Sequence, residues 1–133
     1  MNVEVETVLK SLRSRNLKGI FAETIEVANS RILSLIPKDA VVGIGDSTTV
    51  RQMGIIAQLE NRGTEVLNGF DRKVIYTSIE DWGRREDLVR RSTICDVFLT
   101  GTNTITPDGR LVNVDGGGGR VAGMFWGHPI SII

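Results

Sequence analysis

The run Asp115-Gly116-Gly117-Gly118-Gly119-Arg120 sets four consecutive glycines between an acid and a base, directly after an apolar, strand-like stretch. Without side chains, successive backbone N–H groups can point into one concavity and receive a phosphate or carboxylate at the start of a helix. Arg120 stands where it can add a bidentate contact. Each glycine costs about 1 kcal/mol of chain entropy relative to alanine, so four together point to a ligand or a close backbone approach. A flexible linker is the plainer alternative.

A second anion-favouring pattern is Gly43-x-Gly45-x-Ser47-x-Thr49, with its glycines and hydroxyls where a strand passes into a helix. It is no Walker A loop, because Gly-Lys-Ser/Thr is missing, and Thr48 replaces the third glycine of a dinucleotide fingerprint. Ser47 or Thr48 capping the helix explains the same residues without a ligand. Gly101-Thr102-Asn103-Thr104 offers further polar side chains, for a ligand or for a turn. Asp46 and Asp115 are the carboxylates nearest the glycine loops, and either serves as a general base if burial raises its pKa. Asp115 equally suits a brace that accepts loop N–H bonds.

His128 is the only histidine and reads as a surface turn residue. Cys95 is the only cysteine and reads as a buried packing residue; with one histidine it forms no cluster for zinc or an iron–sulfur centre. No metal site and no resident cofactor are expected. Arg84, Arg85, Arg90 and Arg91 read as a solvated helix face that also draws anions.

The elements that must carry these residues alternate in type. Val5, Val8, Leu9 and Leu12 recur at helical spacing, with Asn16 closing that helix before a short strand at Gly19–Ala22. Thr24 caps a second helix, with Ile25, Ala28, Ile32, Leu35 and Ile36 on one face and Pro37 ending it. A buried strand over Ala40–Ile44 leads through Gly45–Thr49 into one helix carrying Met53, Ile56, Ala57 and Leu59. Thr64–Leu67 is the next strand, then an arginine-rich helix and the strand Asp96–Thr100. The turn Thr106-Pro107-Asp108-Gly109 returns the chain through Leu111–Val114. This alternation predicts a three-layer α/β/α sandwich on a mainly parallel sheet, with the suspicious loops at the carboxyl ends of the strands. Pro129–Ile133 reads as a strand whose covering helix is missing, so a partner covers it or the domain continues past Ile133.

A chain of 133 residues, 41% apolar, with 16 basic and 16 acidic side chains, predicts one soluble domain, with a helical part over about 1–37 and a motif-bearing sheet region over about 40–133. Without a basic block or a stacking surface, nucleic acid is not an expected partner. No apolar run approaches a membrane span, and the acidic, mixed N-terminus is unlike a signal peptide, so a cytoplasmic protein is expected.

Three ordered blocks carry a resemblance. Val42–Val50 followed by Gly54, then Asp96–Thr106, then Asp108–Gly116 with Gly118 and Arg120–Ala122, together resemble the LUD domain family of lactate-utilisation proteins, over about Ala40 to the C-terminus. The resemblance implies a sheet of the kind shared by ribose-phosphate isomerase, glucosamine-phosphate deaminase and coenzyme A transferases. It implies that Gly45, Ser47, Thr49, Thr102, Asn103, Asp115, Gly116, Gly118 and Arg120 line a common pocket. It also implies a part in lactate oxidation beside iron–sulfur partner proteins. Three departures accompany it: Gln52 where the family commonly has glutamate, Gly119 where it has asparagine, and an end at Ile133 where family domains continue.

The expected function is therefore a LUD-type component that binds a small anionic metabolite, a carboxylate or phosphate ester, with a redox partner to accept electrons. Two other classes fit the residues. One is an enzyme of sugar-phosphate isomerase or acyl-transfer type, with Asp115 or Asp46 as base and the glycine loop holding phosphate or an oxyanion. The other is a non-catalytic assembly or regulatory subunit, forming a homo-oligomer over its C-terminal sheet edge.

Overall fold

A computed structural model describes residues 2–126 and 128–133. Helix α1 (Val3–Ser14) starts where the Asn2 side chain accepts the Glu4 N–H, and it ends as its sequence predicts. Asn16 takes a left-handed φ of 60°, and the Leu17 N–H reaches back to the Leu12 carbonyl at 3.0 Å. The strand expected at Gly19–Ala22 does not form. That segment lies against α1, where a Cβ on Gly19 would sit 2.8 Å from Leu9, so it pairs with no sheet edge.

Thr24 caps helix α2 (Ile25–Leu35), its hydroxyl accepting the Val27 N–H at 3.3 Å. The buried face is rotated from the expected one. Asn29, only 4% exposed, turns inward and donates to the Met53 carbonyl at 2.8 Å, while Ile25 and Leu35 stay exposed. Arg62 then fixes the end of α2 by donating to the Leu33 and Ile36 carbonyls.

Strand β1 (Val41–Ile44) runs into two short helices, α3 (Thr48–Gln52) and α4 (Ile55–Asn61), where the sequence suggested one. Gly54 separates them with φ +67°, a left-handed conformation that interrupts the helix and that glycine adopts without steric cost. Strand β2 (Glu65–Leu67) follows, then α5 (Ile79–Ser92), which opens with a reciprocal capping box between Ser78 and Asp81. The Arg84 guanidinium, first, and the Ser78 hydroxyl hold the Asp81 carboxyl well below the usual carboxylate range.

After β3 (Val97–Leu99), a hairpin of β4 (Thr104–Ile105) and β5 (Leu111–Val112) turns through Thr106–Gly109, as its turn residues predict. It is tied to α1 by Arg15, which donates to the Asp108 carbonyl at 2.8 Å. Helix α6 (Gly119–Phe125) and strand β6 (Ile130–Ile132) complete the chain.

The main sheet has four parallel strands in the order β2-β1-β3-β6. Because side chains alternate across a strand, the sheet has two cores. On one face Val42, Ile44, Val97 and Leu99 pack with Ile36, Val50, Ile55 and Leu59 from the α2, α3 and α4 side. On the other, Leu67, Cys95 and Phe98 meet Leu88 of α5 and Met124 of α6. Helices thus flank the sheet, and the α/β sandwich is the architecture the alternation predicted. No helix among the described residues is long and apolar enough to cross a membrane.

Candidate functional site

The carboxyl ends of β1 and β3 lie side by side, which brings two of the three suspicious loops together. The Gly45 N–H donates to the Leu99 carbonyl at 3.0 Å. A Cβ on Gly45 would overlap the Thr100 hydroxyl and come within 2.9 Å of Phe98, and a Cβ on Gly101 would lie 2.5 Å from Ser47 Oγ. Gly45 and Gly101 are therefore required by reciprocal close packing of the two strand ends. The Ser47 hydroxyl caps α3 by accepting the Val50 N–H at 3.3 Å.

Asp46 sits between two cations. Its carboxylate pairs with Arg51, which also donates to the Thr48 hydroxyl at 3.0 Å, and Arg72 approaches its other oxygen at 3.6 Å.

On the α6 side, Arg120 is 8% exposed and its guanidinium acts as a bracket. Nη1 donates to the Gly101 carbonyl and to Asn113 Oδ1, both at 2.8 Å. Nη2 donates to Asn103 Oδ1 at 2.8 Å and to the Val114 carbonyl at 2.9 Å. These bonds join the loop after β3, the loop after β5 and α6. Asn103 is doubly used, since its Oδ1 also accepts the Val114 N–H at 2.9 Å. Thr102 donates across the hairpin to the Val112 carbonyl at 3.1 Å, and Asp115 accepts the Val121 N–H at 2.9 Å, bracing the first turn of α6.

The glycine run itself borders open space. A Cβ on Gly116, Gly117 or Gly118 would meet nothing within 4 Å, and Gly118 alone among these three has a left-handed φ, at +78°.

His128 is not the surface turn residue its sequence context suggested. Its ring is half-buried, stacked on Phe98 with centroids 5.4 Å apart, and Nδ1 lies 2.9 Å from the Cys95 carbonyl. Cys95 is buried and its thiol donates to the Ser92 and Val97 carbonyls. Burial pushes that thiol above its ordinary range, as suits a packing residue.

A cavity of about 510 Å³ opens at the carboxyl ends of β3 and β6, on the α2 side of the sheet. Of the residues the resemblance assigns to a pocket, Thr49 and Thr102 line it, whereas Gly45, Ser47, Asn103, Asp115, Gly116, Gly118 and Arg120 do not. Its wall is mainly aliphatic: Ala28, Ile32 and Leu35 of α2 face Val50 and Met53 across from Ile130 and Ile132 of β6. Lys18 and Arg31 bring the charged side chains to this lining, and among the described residues neither side chain forms an ion pair or a hydrogen bond. Sequence reasoning missed both. The available signal was Arg31 within the stripe Ala28-Arg31-Ile32-Leu35, at spacing i, i+3, i+4, i+7, where a buried helix face would not carry a guanidinium.

Comparison with curated proteins and with solved structures returns no match. The model of one family, the LUD domain, matches residues 5–133, taking in α1 and α2 as well as the sheet region in which the resemblance was legible. The geometry described above is thus that of a LUD-domain fold, and the chain belongs to the LUD domain family.

Proposed function

We propose that this LUD-type protein binds a small anionic metabolite, a carboxylate or phosphate ester, as a component of lactate or related organic-acid metabolism. The observation that carries the reading is Lys18 and Arg31, without counter-ions among the described residues, at a cavity beside the carboxyl ends of parallel strands. Ligands of open α/β sheets bind at that end. A deposit of positive charge over an apolar wall attracts an anion and holds it where water is partly excluded.

In this reading the residues of the three loops build the sheet end and the ligand occupies the space beside them. Removing electrons from lactate requires an acceptor, which an iron–sulfur partner protein would supply. The alternative in which Asp115 or Asp46 acts as a base draws less support, because Asp115 braces α6 and Asp46 is ion-paired to Arg51.

A thermal-shift screen against lactate, sugar phosphates, folates and coenzyme A thioesters tests the proposal. Ligand at 100 times Kd adds about 2.7 kcal/mol of stability, so a true ligand raises Tm measurably. A uniformly flat screen turns the reading toward a non-catalytic assembly role. Turnover of lactate by the purified chain alone with an artificial acceptor would defeat the need for a partner.

A further inference from the structure

We infer that the cavity beside α2 selects an amphiphilic carboxylate, an anion with an extended aliphatic body, over a compact hydroxy acid such as lactate. The inference rests on the anion-binding reading above and narrows the class of ligand. Size gives the first argument. A cavity of about 510 Å³ lies in the range that encloses ligands of drug size, roughly 300–1,000 Å³, far more than a three-carbon acid fills. The walls give the second, because a compact polar anion would leave Ile32, Leu35 and Ile132 in contact with water, whereas an alkyl chain would cover them.

Charge gives the third. Arg31 lies on the same helical stripe as Ala28, Ile32 and Leu35, so its guanidinium emerges beside the apolar wall, and Lys18 approaches from the segment that follows α1. Among the described residues no acidic side chain lines the cavity. A carboxylate held at either cation lies beside aliphatic wall that its chain would cover. The hydroxyl of Thr49 lies on the same lining and is free to complete the recognition of the head group. A neutral alcohol of equal length gains the wall but not the cations, and a short acid gains the cations but not the wall.

The experiment is calorimetric titration of the full chain with octanoate, lactate and 1-octanol, repeated on K18E/R31E and on A28F. Both cations are exposed, so circular dichroism of K18E/R31E is expected to match the parent, and A28F adds bulk to the cavity lining without altering a charge. Octanoate is expected to bind at least about tenfold more tightly than lactate, since burying two methylenes alone is worth roughly that factor, and at least about tenfold more tightly than 1-octanol, which offers the cations no charge. K18E/R31E should lose at least tenfold in octanoate affinity, and A28F should lose a comparable amount. Lactate binding as tightly as octanoate, with both weakened by K18E/R31E, would overturn the amphiphile inference and leave the anion reading standing. Octanoate binding no better than octanol, or unchanged in K18E/R31E, would overturn the inference on the head group. Absence of binding by octanoate, lactate and the metabolites of the thermal-shift screen would remove both readings.

Discussion

The two sides of the sheet's carboxyl end use polar residues in opposite ways. On the α6 side, Arg120, Asn103, Asn113, Thr102 and Asp115 are joined to backbone and to one another, and Gly45 and Gly101 let the strand ends close together. On the α2 side, Lys18 and Arg31 stand at an aliphatic cavity without counter-ions among the described residues. The difference teaches that hydrogen-bonding residues in a sequence motif can be engaged with one another in the folded chain, which their spacing alone does not reveal. Buried donors and acceptors must be paired, and Arg120 meets that demand with four acceptors, whereas the exposed Lys18 and Arg31 can stay solvated without a partner.

The strongest way to break this contrast is Arg120→Ala. It leaves the Gly101 and Val114 carbonyls and two asparagine oxygens without a charged donor, and a loss of about 3 kcal/mol in urea unfolding is expected. Arg120→Lys should recover little, because an ammonium cannot reproduce the planar fork. Unchanged stability in Arg120→Ala, with loss of anion binding, would make Arg120 a ligand contact and collapse the distinction between the two sides.

Gly45→Ala tests whether glycine at the strand end answers to packing. Its methyl would meet the Thr100 hydroxyl and Phe98, and a cost of about 1–3 kcal/mol is expected, read as a lower denaturation midpoint. Asp115→Ala should cost about 1 kcal/mol by removing the acceptor of the Val121 N–H, with amide exchange quickening in the first turn of α6. If activity in any organic-acid assay vanished while stability held, Asp115 would be a base and not a brace.

Gly117→Ala should change least. Its φ lies outside the left-handed region and a methyl would meet nothing within 4 Å, so a gain of about 0.4–1 kcal/mol is expected from the unfolded chain's lost freedom. A clear loss there would show that the glycine run is packed against something, a ligand or a partner, and would return the run to the centre of the site.

Much of the architecture was legible because local chemistry dictated it. Thr24 and Asn16 marked helix boundaries, the β-branched run Val41-Val42 marked the central strand, and the Thr106–Gly109 turn marked the hairpin, each through interactions within a few residues of chain. The Gly19–Ala22 strand failed for the complementary reason. An apolar tetrapeptide has no identity until it meets either a sheet edge or a helix, and this one met α1. The face of α2 was misjudged because Asn29 counts as polar in a pattern, yet the Met53 carbonyl gives its side-chain amide a partner in the interior.

Sequence alone determined the family, the alternation that yields a parallel sheet, and the presence of three polar loops after strands, because these depend on residue order and on spacing along the chain. It also limited the ionisable inventory to one histidine, one cysteine, one tyrosine and a balanced set of charges. Tertiary structure decided which of those polar groups are already satisfied. Arg120 lies 17 residues from Asn103 and 19 from Gly101, and no pattern along the chain reveals that their atoms meet. Likewise Lys18 and Arg31 become a pair only because the segment after α1 and the exposed flank of α2 border the same cavity. A hydrogen bond or an unpaired charge is a property of distance in space, and it is set when the chain closes on itself.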